Sequence, residues 1–367
     1  MIYILPDVQK ADVNNKKVFL LADLDVPLIK LKAEIGDDIR LRVGLQTIQY
    51  LLNNNATVII GGKLGRPHGS LDPALSLKPV AEWYLQKFNP STQLRTKFKI
   101  EETKIEEFDG WKLSDNLFLL ENLRFYPEEE ENDSIFTKKL ASLADIYVND
   151  AFDLCHRNEA SVIGIPSLLP HFAGLRLQEE VKNLEKIIES PKRPFVVVIG
   201  GAKVETKLPL IEKILDFADF VLVGGKIAEE KEVLEKVQTD KKGKLVIAES
   251  NKSKNDIAKE SILEFTKVIQ KAGTVLWNGP MGLCNSKFKI QNSKLSEDSE
   301  YGTREIVKAI VESNAYKVAG GGDTVEFINR MGVFDKFDFV SMAGGAMLTL
   351  ISGESLPGLE ILMENST

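Results

Sequence analysis

A short stretch in the second half of the sequence places two glycines and two lysines directly after an apolar run. The run 195–199 has the β-branched character of a strand, and Gly200 and Gly201 end it. Lys203 and Lys207 stand four residues apart at the start of a helical pattern, so they share one face of the predicted helix. Such a turn directs backbone N–H groups and a helix dipole at an anion. A tight connection with solvated lysines has the same pattern, and this stretch alone leaves both interpretations open.

Apolar runs of strand length alternate with segments of helical periodicity along the chain, which predicts parallel sheets with right-handed crossovers. The predicted strands are 18–24, 57–60, 117–120, a strand that ends at Asn149, 195–199, 220–223, 244–248, 274–277, 316–319 and 338–342. The predicted helices are 40–52, 77–88, 135–143, 174–189, 207–217, 255–270, 302–313, 323–331 and 345–352. Residues 89–116 are polar and weakly patterned, and we interpret them as a variable excursion rather than a site.

Length and composition restrict the class of protein. A chain of 367 residues exceeds what one hydrophobic core usually supports, so two domains are expected. The net charge of −7 excludes a global basic field for nucleic acid, and an anion site must be a local group of cations. The two cysteines, Cys155 and Cys284, fit a reducing cytosol and exclude a disulfide scaffold or a cysteine zinc site. With no signal-peptide pattern and no apolar run of membrane length, we expect a soluble cytoplasmic protein.

Cations follow the predicted strands of the first half. Ligands of open parallel sheets bind outside the carboxyl ends of the strands, so residues that follow the strands are candidates for a site. Five cations occupy such positions, accompanied by two aspartates and a histidine: Arg40, Lys63, Arg66, Arg124 and Arg157, with Asp23, Asp25 and His156. Any one of them alone is typical of a protein surface. Together they predict a pocket for a small, multiply charged anion, because the arginine fork suits carboxylate and phosphate.

Glycines follow the predicted strands of the second half. They are Gly200-Gly201, Gly224-Gly225, Gly279 and Gly282, Gly320 to Gly322, and Gly344-Gly345. Small residues let a phosphate or a flat heterocycle approach the backbone closely. Asp323 starts a helix inside this array, where it could be an N-cap, a contact to Mg²⁺, or both. The chain lacks the G-x-x-x-x-G-K-[ST] loop of Walker-type nucleotide sites.

An anion-binding half and a nucleotide-binding half, with two lysines where they meet, favour phosphoryl transfer between a small acid and a nucleotide. Such catalysis depends on positioning and on positive charge more than on a base. The same layout is also compatible with nucleotide binding alone, and the residues by themselves do not separate the two.

Six motifs, in order, resemble those of the phosphoglycerate kinase family, and the resemblance runs from about residue 17 to 360. They are 71–79, 119–125 (LLENLRF), 147–152 (YVNDAF), 200–203 (GGAK), 277–282 (WNGPMG) and 320–324 (GGGDT). The resemblance implies two doubly wound, parallel-sheet α/β (Rossmann-like) domains that bend about a hinge. It implies a phosphoglycerate-binding domain at 1–173, an interdomain helix at 174–190 and a nucleotide-binding domain at 191–352. The tail 353–367 is expected to pack back on the first domain.

The implied reaction is reversible transfer between 1,3-bisphosphoglycerate and ADP, giving 3-phosphoglycerate and ATP, with Mg²⁺, in a closed interdomain cleft. Such an enzyme belongs to glycolysis and gluconeogenesis, and we expect a monomer without nucleic-acid or membrane partners. The positions that match the substrate contacts of the family are Asp23, Arg40, Arg66, Arg124 and Arg157. Asp25 and Lys63 stand where the family has an asparagine and a histidine, and they complete the predicted substrate set.

The resemblance also implies the nucleotide contacts. They are Gly201, Ala202, Lys203, Lys207, Gly224, Gly225, Pro280, Leu283, Asn285, Gly322, Asp323 and Thr324, with Asp323 as the metal contact. Arg40, Lys203 and Lys207 match the residues that act on the transferring phosphoryl group, and Gly344 and Gly345 match part of the closing glycine turn.

Several positions depart from the family pattern. Glu159 replaces a second family histidine and would repel an anionic substrate if it faced inward. Asp153 and Leu154 stand where the family has glycine and threonine, and Asn285 stands where a carboxylate contacts ribose. The span between Gly225 and Lys244 is shortened, so the C-terminal lobe is expected to be smaller. These changes motivate an alternative hypothesis, a weakened or idle family member that binds nucleotide or a protein partner.

Overall fold

The computed structural model describes residues 3–29, 34–88, 100–237, 243–283 and 297–364. The strands are β1 (Lys17–Ala22), β2 (Leu28–Ile29), β3 (Glu34–Ile35), β4 (Thr57–Gly62), β5 (Glu101–Ile105), β6 (Phe108–Ser114), β7 (Leu117–Leu120), β8 (Ile146–Asn149), β9 (His171–Ala173), β10 (Phe195–Ile199), β11 (Phe220–Val223), β12 (Lys244–Ile247), β13 (Thr274–Asn278), β14 (Tyr316–Gly320) and β15 (Phe339–Ser341). The helices are α1 (Ile39–Asn53), α2 (Lys78–Phe88), α3 (Pro127–Glu130), α4 (Ser134–Ala141), α5 (Leu175–Glu189), α6 (Val204–Ile214), α7 (Lys231–Val237), α8 (Lys259–Ile269), α9 (Tyr301–Glu312), α10 (Gly322–Arg330), α11 (Gly345–Ile351) and α12 (Pro357–Met363).

The described residues form two compact units, and the chain passes from the first to the second inside α5, between Val181 and Lys182. The first unit also contains the C-terminal residues from Ser355 onward. This tail is tied to the first unit by backbone contacts: the Gly358 N–H donates to the Cys155 carbonyl at 2.9 Å.

The sheet of the first unit has the order β5-β6-β7-β4-β1-β8-β9. Strands β7, β4, β1, β8 and β9 pair in parallel, so the loops that follow β7, β4, β1 and β8 leave from one edge. The central strand β1 is buried along all but its first residue, as expected for a parallel strand covered on both faces. Parallel pairing therefore collects residues that are far apart in sequence at one place.

Residues 100–116 differ from the prediction. They form the antiparallel hairpin β5–β6, and β6 pairs with β7, whereas the sequence pattern was interpreted as an irregular excursion. The reason is exposure: β5 is the edge strand and none of its side chains is buried, so it needs no apolar alternation. The remaining part of the predicted excursion, 89–99, lies outside the described residues.

The sheet of the second unit has the order β12-β11-β10-β13-β14-β15 and is parallel throughout. Its central strands β10 and β13 are buried at every residue. Helix α8 begins at Lys259, four residues later than predicted, because 250–257 fold into a loop closed by a bridge between Ser250 and Ile257. Both sheets carry helices in their crossovers, which is an α/β architecture. Within the described ranges, no helix is both long enough and apolar enough to cross a membrane.

The start of α5 is held by groups from two other elements of the first unit. The Asp150 carboxylate, just after β8, accepts hydrogen bonds from the N–H groups of Arg176 and Leu177 at 2.9 and 3.2 Å. Thr47 of α1 accepts from the Leu175 N–H at 3.1 Å. These bonds satisfy N–H groups that have no partner inside the helix. They require Gly174, because a Cβ at that residue would lie 2.2 Å from Asp150 Oδ1.

We predict that Gly174→Ala destabilises the protein by about 2 kcal/mol or more, because the methyl group displaces the Asp150 carboxylate from the start of α5. The matched control is Gly44→Ala in the interior of α1, where an added Cβ meets nothing within 4 Å. That change should stabilise by roughly 0.5–1 kcal/mol, since alanine favours the helix. Urea denaturation of the two variants measures both effects, and equal effects of the two changes would contradict this account.

Candidate functional site

The loops after β1 and β4 are joined at the carboxyl edge of the first sheet. The Asp25 carboxylate accepts a hydrogen bond from the Gly65 N–H at 2.9 Å. Asp23 pairs with the Arg40 guanidinium, and Asp153, from the loop after β8, lies 3.8 Å from the same guanidinium. Arg40 therefore stands between two carboxylates from different loops. Asp25 is engaged in holding the backbone, which gives a structural reason for an acid at this position.

Burial raises the pKa of Asp23 to about 6. The negative charges of Asp153 and Asp25 also raise this pKa, whereas the Arg40 guanidinium lowers it. The three carboxylates around Arg40 therefore repel one another while they hold it. This arrangement keeps the guanidinium in place at neutral pH, when Asp23 is ionised.

Asn122 links the loop after β7 to the loop after β4. Its buried side chain donates to the carbonyl oxygens of Leu64 and Leu75 at 2.7 and 3.0 Å, and it accepts from the Leu64 and Arg124 N–H groups at 3.2 and 3.1 Å. Arg124 is fixed a second time, because its Nη1 donates to the Gly65 carbonyl at 2.7 Å. Sequence analysis missed the role of Asn122, although it lies in a recognised motif. The signal in the sequence was the position of this asparagine between the predicted strand 117–120 and Arg124.

Three of the predicted cations are brought together. A pocket of about 360 Å³ is lined by Arg66, His68, Arg124, Glu130, Arg157, Asn158 and Glu159. Arg124 is buried, whereas Arg66 is exposed. Arg157 carries a buried Nε–H with no hydrogen-bond partner in the described part of the chain. The pocket thus presents guanidinium groups with donor capacity left for an anion.

Lys63 lies in a buried ion-pair group. It was predicted to contact the substrate, but its side chain is only 1% exposed and it does not line this pocket within the described ranges. Its ammonium is paired with the Glu129 carboxylate at 2.7 Å and with the Glu159 carboxylate. Two carboxylates that are distant in sequence therefore neutralise the charge of Lys63, and its contact with the substrate stays a prediction.

In the second unit, glycines permit close contact between backbones at the ends of β10 and β13. The Gly200 N–H donates to the Asn278 carbonyl at 2.9 Å, and the Gly201 N–H donates to the Pro280 carbonyl at 2.7 Å. A Cβ at Gly200 would lie 2.2 Å from the Pro280 oxygen, and one at Gly279 would lie 2.4 Å from the Gly200 oxygen. No residue with a side chain fits either position without moving the backbone.

A cavity of about 300 Å³ lies beside these turns. Six predicted nucleotide contacts line it: Gly201, Ala202, Gly225, Pro280, Leu283 and Asp323. The other lining residues are five small or apolar ones, Ala228, Ala248, Ile257, Met281 and Gly282, and six polar or charged ones, Lys226, Glu229, Ser250, Lys254, Asn255 and Asp256. A cavity with both apolar and polar lining next to backbone N–H groups can accept a flat ring at one end and phosphates at the other.

The remaining predicted nucleotide contacts lie around the cavity rather than in its lining. Lys203 is exposed and is the N-cap of α6. Thr324 is buried, and its hydroxyl accepts from the Gly279 N–H at 2.7 Å, so it supports a glycine turn. Gly224 precedes Gly225, and Gly322 begins α10. Asn285 lies outside the described residues.

Gly344 and Gly345 begin α11, and a Cβ on Gly344 would lie 3.2 Å from the Cα of Gly321. Asn278 joins these turns, because its amide donates to the Gly320 carbonyl at 2.8 Å. Asp256, at the floor of the cavity, accepts from the Gly302 N–H at 2.6 Å. Sequence analysis missed Asp256 because its loop was predicted as part of a helix.

Lys207 extends along the first turn of α6 toward the preceding strand. Its Nζ donates to the Gly200 carbonyl at 2.7 Å. Burial lowers the pKa of Lys207 to about 8; Asp323 raises it and Lys203 lowers it further. An ammonium that is poorly solvated and close to a second cation gains from an anion at this place, because the anion replaces the missing solvation.

We predict that Lys207 titrates near pH 8 and that its two neighbours shift this pKa in opposite directions. Asp323→Asn should lower the pKa of Lys207, since it removes the stabilising negative charge, and Lys203→Met should raise it. Side-chain NMR titration, with the resonance assigned by Lys207→Arg, measures the three values. A Lys207 that keeps an ordinary lysine pKa in all three proteins would refute this description of its surroundings.

Comparison with known proteins identifies the family of this chain. A family model described as phosphoglycerate kinase matches residues 8–251 and 229–354. The phosphoglycerate kinase of Desulforudis audaxviator is 36% identical over 400 residues, which cover 97% of this chain and 98% of that protein. That of Finegoldia magna is 35% identical over 398 residues, which cover 96% and 98%.

Solved structures are similar over the same length. The phosphoglycerate kinase structure from Coxiella burnetii has a TM-score of 0.77 and 29% identity, and the match covers 99% of this chain and 100% of that chain. The structure from Pyrococcus horikoshii OT3 also has a TM-score of 0.77, with 27% identity and 98% of both chains covered. These matches confirm the predicted α/β fold with two largely parallel sheets and the predicted class of enzyme, a phosphotransferase. The chain belongs to the phosphoglycerate kinase family.

Proposed function

We propose that this chain transfers a phosphoryl group reversibly between 1,3-bisphosphoglycerate and ADP, with 3-phosphoglycerate and ATP as the products. The observation that carries the proposal is the division of chemistry between the two units: three arginines converge in one, and glycine turns with two lysines surround a cavity in the other. A transfer of this kind needs both an acidic acceptor and a nucleotide, and each unit suits one of them.

The arginine pocket suits the phosphate of phosphoglycerate. Arg124 is fixed by its hydrogen bond to the Gly65 carbonyl, and Arg66 and Arg157 complete a set of forked donors around one 360 Å³ space. Arg40, held by Asp23 next to Asp153, offers a charge to the end of the substrate that exchanges the phosphoryl group. In this assignment Asp23 orients Arg40, and Asp25 orients the loop of Arg66 through the Gly65 N–H.

The glycine-lined cavity suits the nucleotide. Gly201, Gly225 and Gly322 offer backbone approach to phosphates, and Lys203 and Lys207 add two cations at the start of α6. We assign Lys207 to the migrating phosphoryl group, since its partly desolvated ammonium gains most from developing negative charge. Gly344 and Gly345, at the start of α11, are assigned to the turn that closes over the site.

The residues fit a magnesium ion that is carried by the nucleotide. Among the described residues, no three histidine, cysteine, aspartate or glutamate side chains group into a metal site of their own. Of the three carboxylates that line the nucleotide cavity, Asp323 is the one in the first turn of α10. One carboxylate together with substrate phosphates is a common way for proteins to hold Mg²⁺. When bound, the ion would neutralise phosphate charge, and Asp323 would orient it.

We assign 1–173 with the tail 353–367 to phosphoglycerate binding, 174–190 to the connecting helix and 191–352 to nucleotide binding. Transfer in line requires that the two ligands meet, so we infer that binding of both closes a hinge between the domains. We propose that the enzyme acts as a monomer in the cytoplasm, where ADP and the sugar acids of glycolysis are found. Its proposed partners include neither nucleic acid nor membranes.

We predict that Lys207→Ala lowers kcat by a factor of roughly 10²–10³, as expected for the loss of one preorganised charge at the transferring group. The control is Lys213→Ala on the same helix, where the lysine is exposed and paired with Glu354 at 2.6 Å. That variant should retain the activity of the unchanged chain. A coupled assay with 3-phosphoglycerate and MgATP measures the rates. Turnover of the unchanged chain that does not exceed that of Lys207→Ala would sink the proposed function.

We predict that Arg124→Lys raises KM for 3-phosphoglycerate about tenfold and changes kcat much less. A lysine keeps the charge but loses the forked guanidinium group and its hydrogen bond to the Gly65 carbonyl. Substrate binding should therefore weaken equally in the ground and transition states. Arg42→Lys is the control, since Arg42 is half exposed and pairs with Asp38 on the surface of α1 at 2.8 Å. An equal loss in kcat and in kcat/KM for Arg124→Lys would assign this arginine to the transition state instead.

A further inference from the structure

Three charged residues form a buried group directly behind the arginine pocket. The Lys63 ammonium pairs with the carboxylates of Glu129, at 2.7 Å, and of Glu159. Glu129 is fully buried, and Ser161 holds it with its hydroxyl at 2.6 Å and its backbone N–H at 3.2 Å. The three side chains come from the end of β4, from α3 and from the loop after β8. Lys63 is therefore locked in place from two sides.

Glu159 belongs to both the buried group and the pocket. Its carboxylate accepts from Lys63 on one side, and Glu159 lines the pocket together with Arg124 and Arg157. Burial alone would raise the pKa of Glu159, but the positive charges of Lys63, Arg124 and Arg157 hold it below its ordinary value. The carboxylate is thus ionised, paired with the buried lysine and stabilised by the positive charge of two arginines of the same pocket.

The two residues that meet here are departures from the family pattern that lie 96 positions apart in sequence. Taken separately, Lys63 adds a charge to the substrate site and Glu159 removes one. Taken as a pair, their charges cancel. What remains is the geometry: a carboxylate that is held by Lys63 and lines the same pocket as two guanidinium groups. Guanidinium groups that share one pocket repel one another, and a fixed carboxylate between them offsets that repulsion.

We propose that Glu159 is a positioning residue that holds Arg124 and Arg157 in the geometry that binds phosphate, and that Lys63 is the buried counter-ion that fixes Glu159. This inference rests on the proposed function, because it assigns a task to residues of the phosphoglycerate site. Glu159 does not touch the reacting atoms in this assignment; it acts through the arginines. The simpler alternative is that Glu159 only repels the anionic substrate, and the two assignments predict opposite changes in binding.

The first arm of the test is Glu159→Gln, which keeps the size of the side chain and removes its charge. Lys63 then still pairs with Glu129, so no buried charge loses its last partner and the variant should fold. We expect the Kd and KM for 3-phosphoglycerate to rise about tenfold, with kcat within about twofold and KM for MgATP unchanged. Glu130→Gln removes an exposed carboxylate that lines the same pocket. It should lower the Kd, since its charge has no buried anchor.

The second arm measures the coupling between the two residues by thermal denaturation without ligand. Lys63→Met leaves the buried carboxylates of Glu129 and Glu159 without the ammonium that they share, so its Tm should fall further than that of Glu159→Gln. In Lys63→Met/Glu159→Gln one of these charges is also gone, and the Tm should recover part of the loss. Such non-additivity is expected of residues that are in contact or belong to one ion-pair network.

The proposal is overturned if Glu159→Gln lowers the Kd for 3-phosphoglycerate as Glu130→Gln does, because the carboxylate would then only repel. It is equally overturned if the Tm changes of Lys63→Met and Glu159→Gln add without coupling. Calorimetry supplies the Kd independently of turnover. If the unchanged chain binds 3-phosphoglycerate but transfers no phosphoryl group, the proposed function is contradicted. The ratio of the Kd of Glu159→Gln to that of the unchanged chain would still decide this inference.

Discussion

Parallel pairing of β1, β4, β7 and β8 is the constraint on which the anion pocket depends. Because these strands end at the same edge, Arg40, Arg66, Arg124 and Arg157 can act together although they are spread over more than a hundred positions. The loops are then fastened to one another rather than left to the strands alone. Asp25 holds the Gly65 backbone and Asn122 holds that of Leu64, so these hydrogen bonds fix the loop that carries Arg66.

Both units concentrate positive charge, and each uses a different device to keep it stable. In the first unit, carboxylates accompany the arginines: Asp23 and Asp153 flank Arg40, and Glu159 lies beside Arg124 and Arg157. In the second unit, backbone carbonyls and a single acid, Asp323, accompany the lysines.

Most of the elements could be predicted from the sequence because buried parallel strands are continuous apolar runs that end in glycine or in charge. The predicted 195–199 coincides with β10, and 220–223 coincides with β11. The β5–β6 hairpin was missed because an exposed edge strand carries no such pattern. The candidate cations were found for a similar reason: they follow strands whose ends share one edge.

The partners of these cations could not be predicted, because they depend on contacts between distant residues. Lys63 follows β4 in the way that the other candidate cations follow their strands, but Glu129 and Glu159 pair with it. Asp153 looked like a simple departure, but it lies beside Arg40. Sequence patterns identify which residues can carry chemistry, whereas the pairing of charges in three dimensions decides which of them remain available to a ligand.

The central claim is that each unit binds one of the two substrates. Hydrogen–deuterium exchange with single ligands tests it most directly. The account predicts that 3-phosphoglycerate slows exchange in the loops 62–70, 121–126 and 150–159, and that MgADP slows exchange in 200–207, 224–230 and 278–282. Protection of the arginine loops by MgADP alone, or protection of the same unit by both ligands, would contradict it.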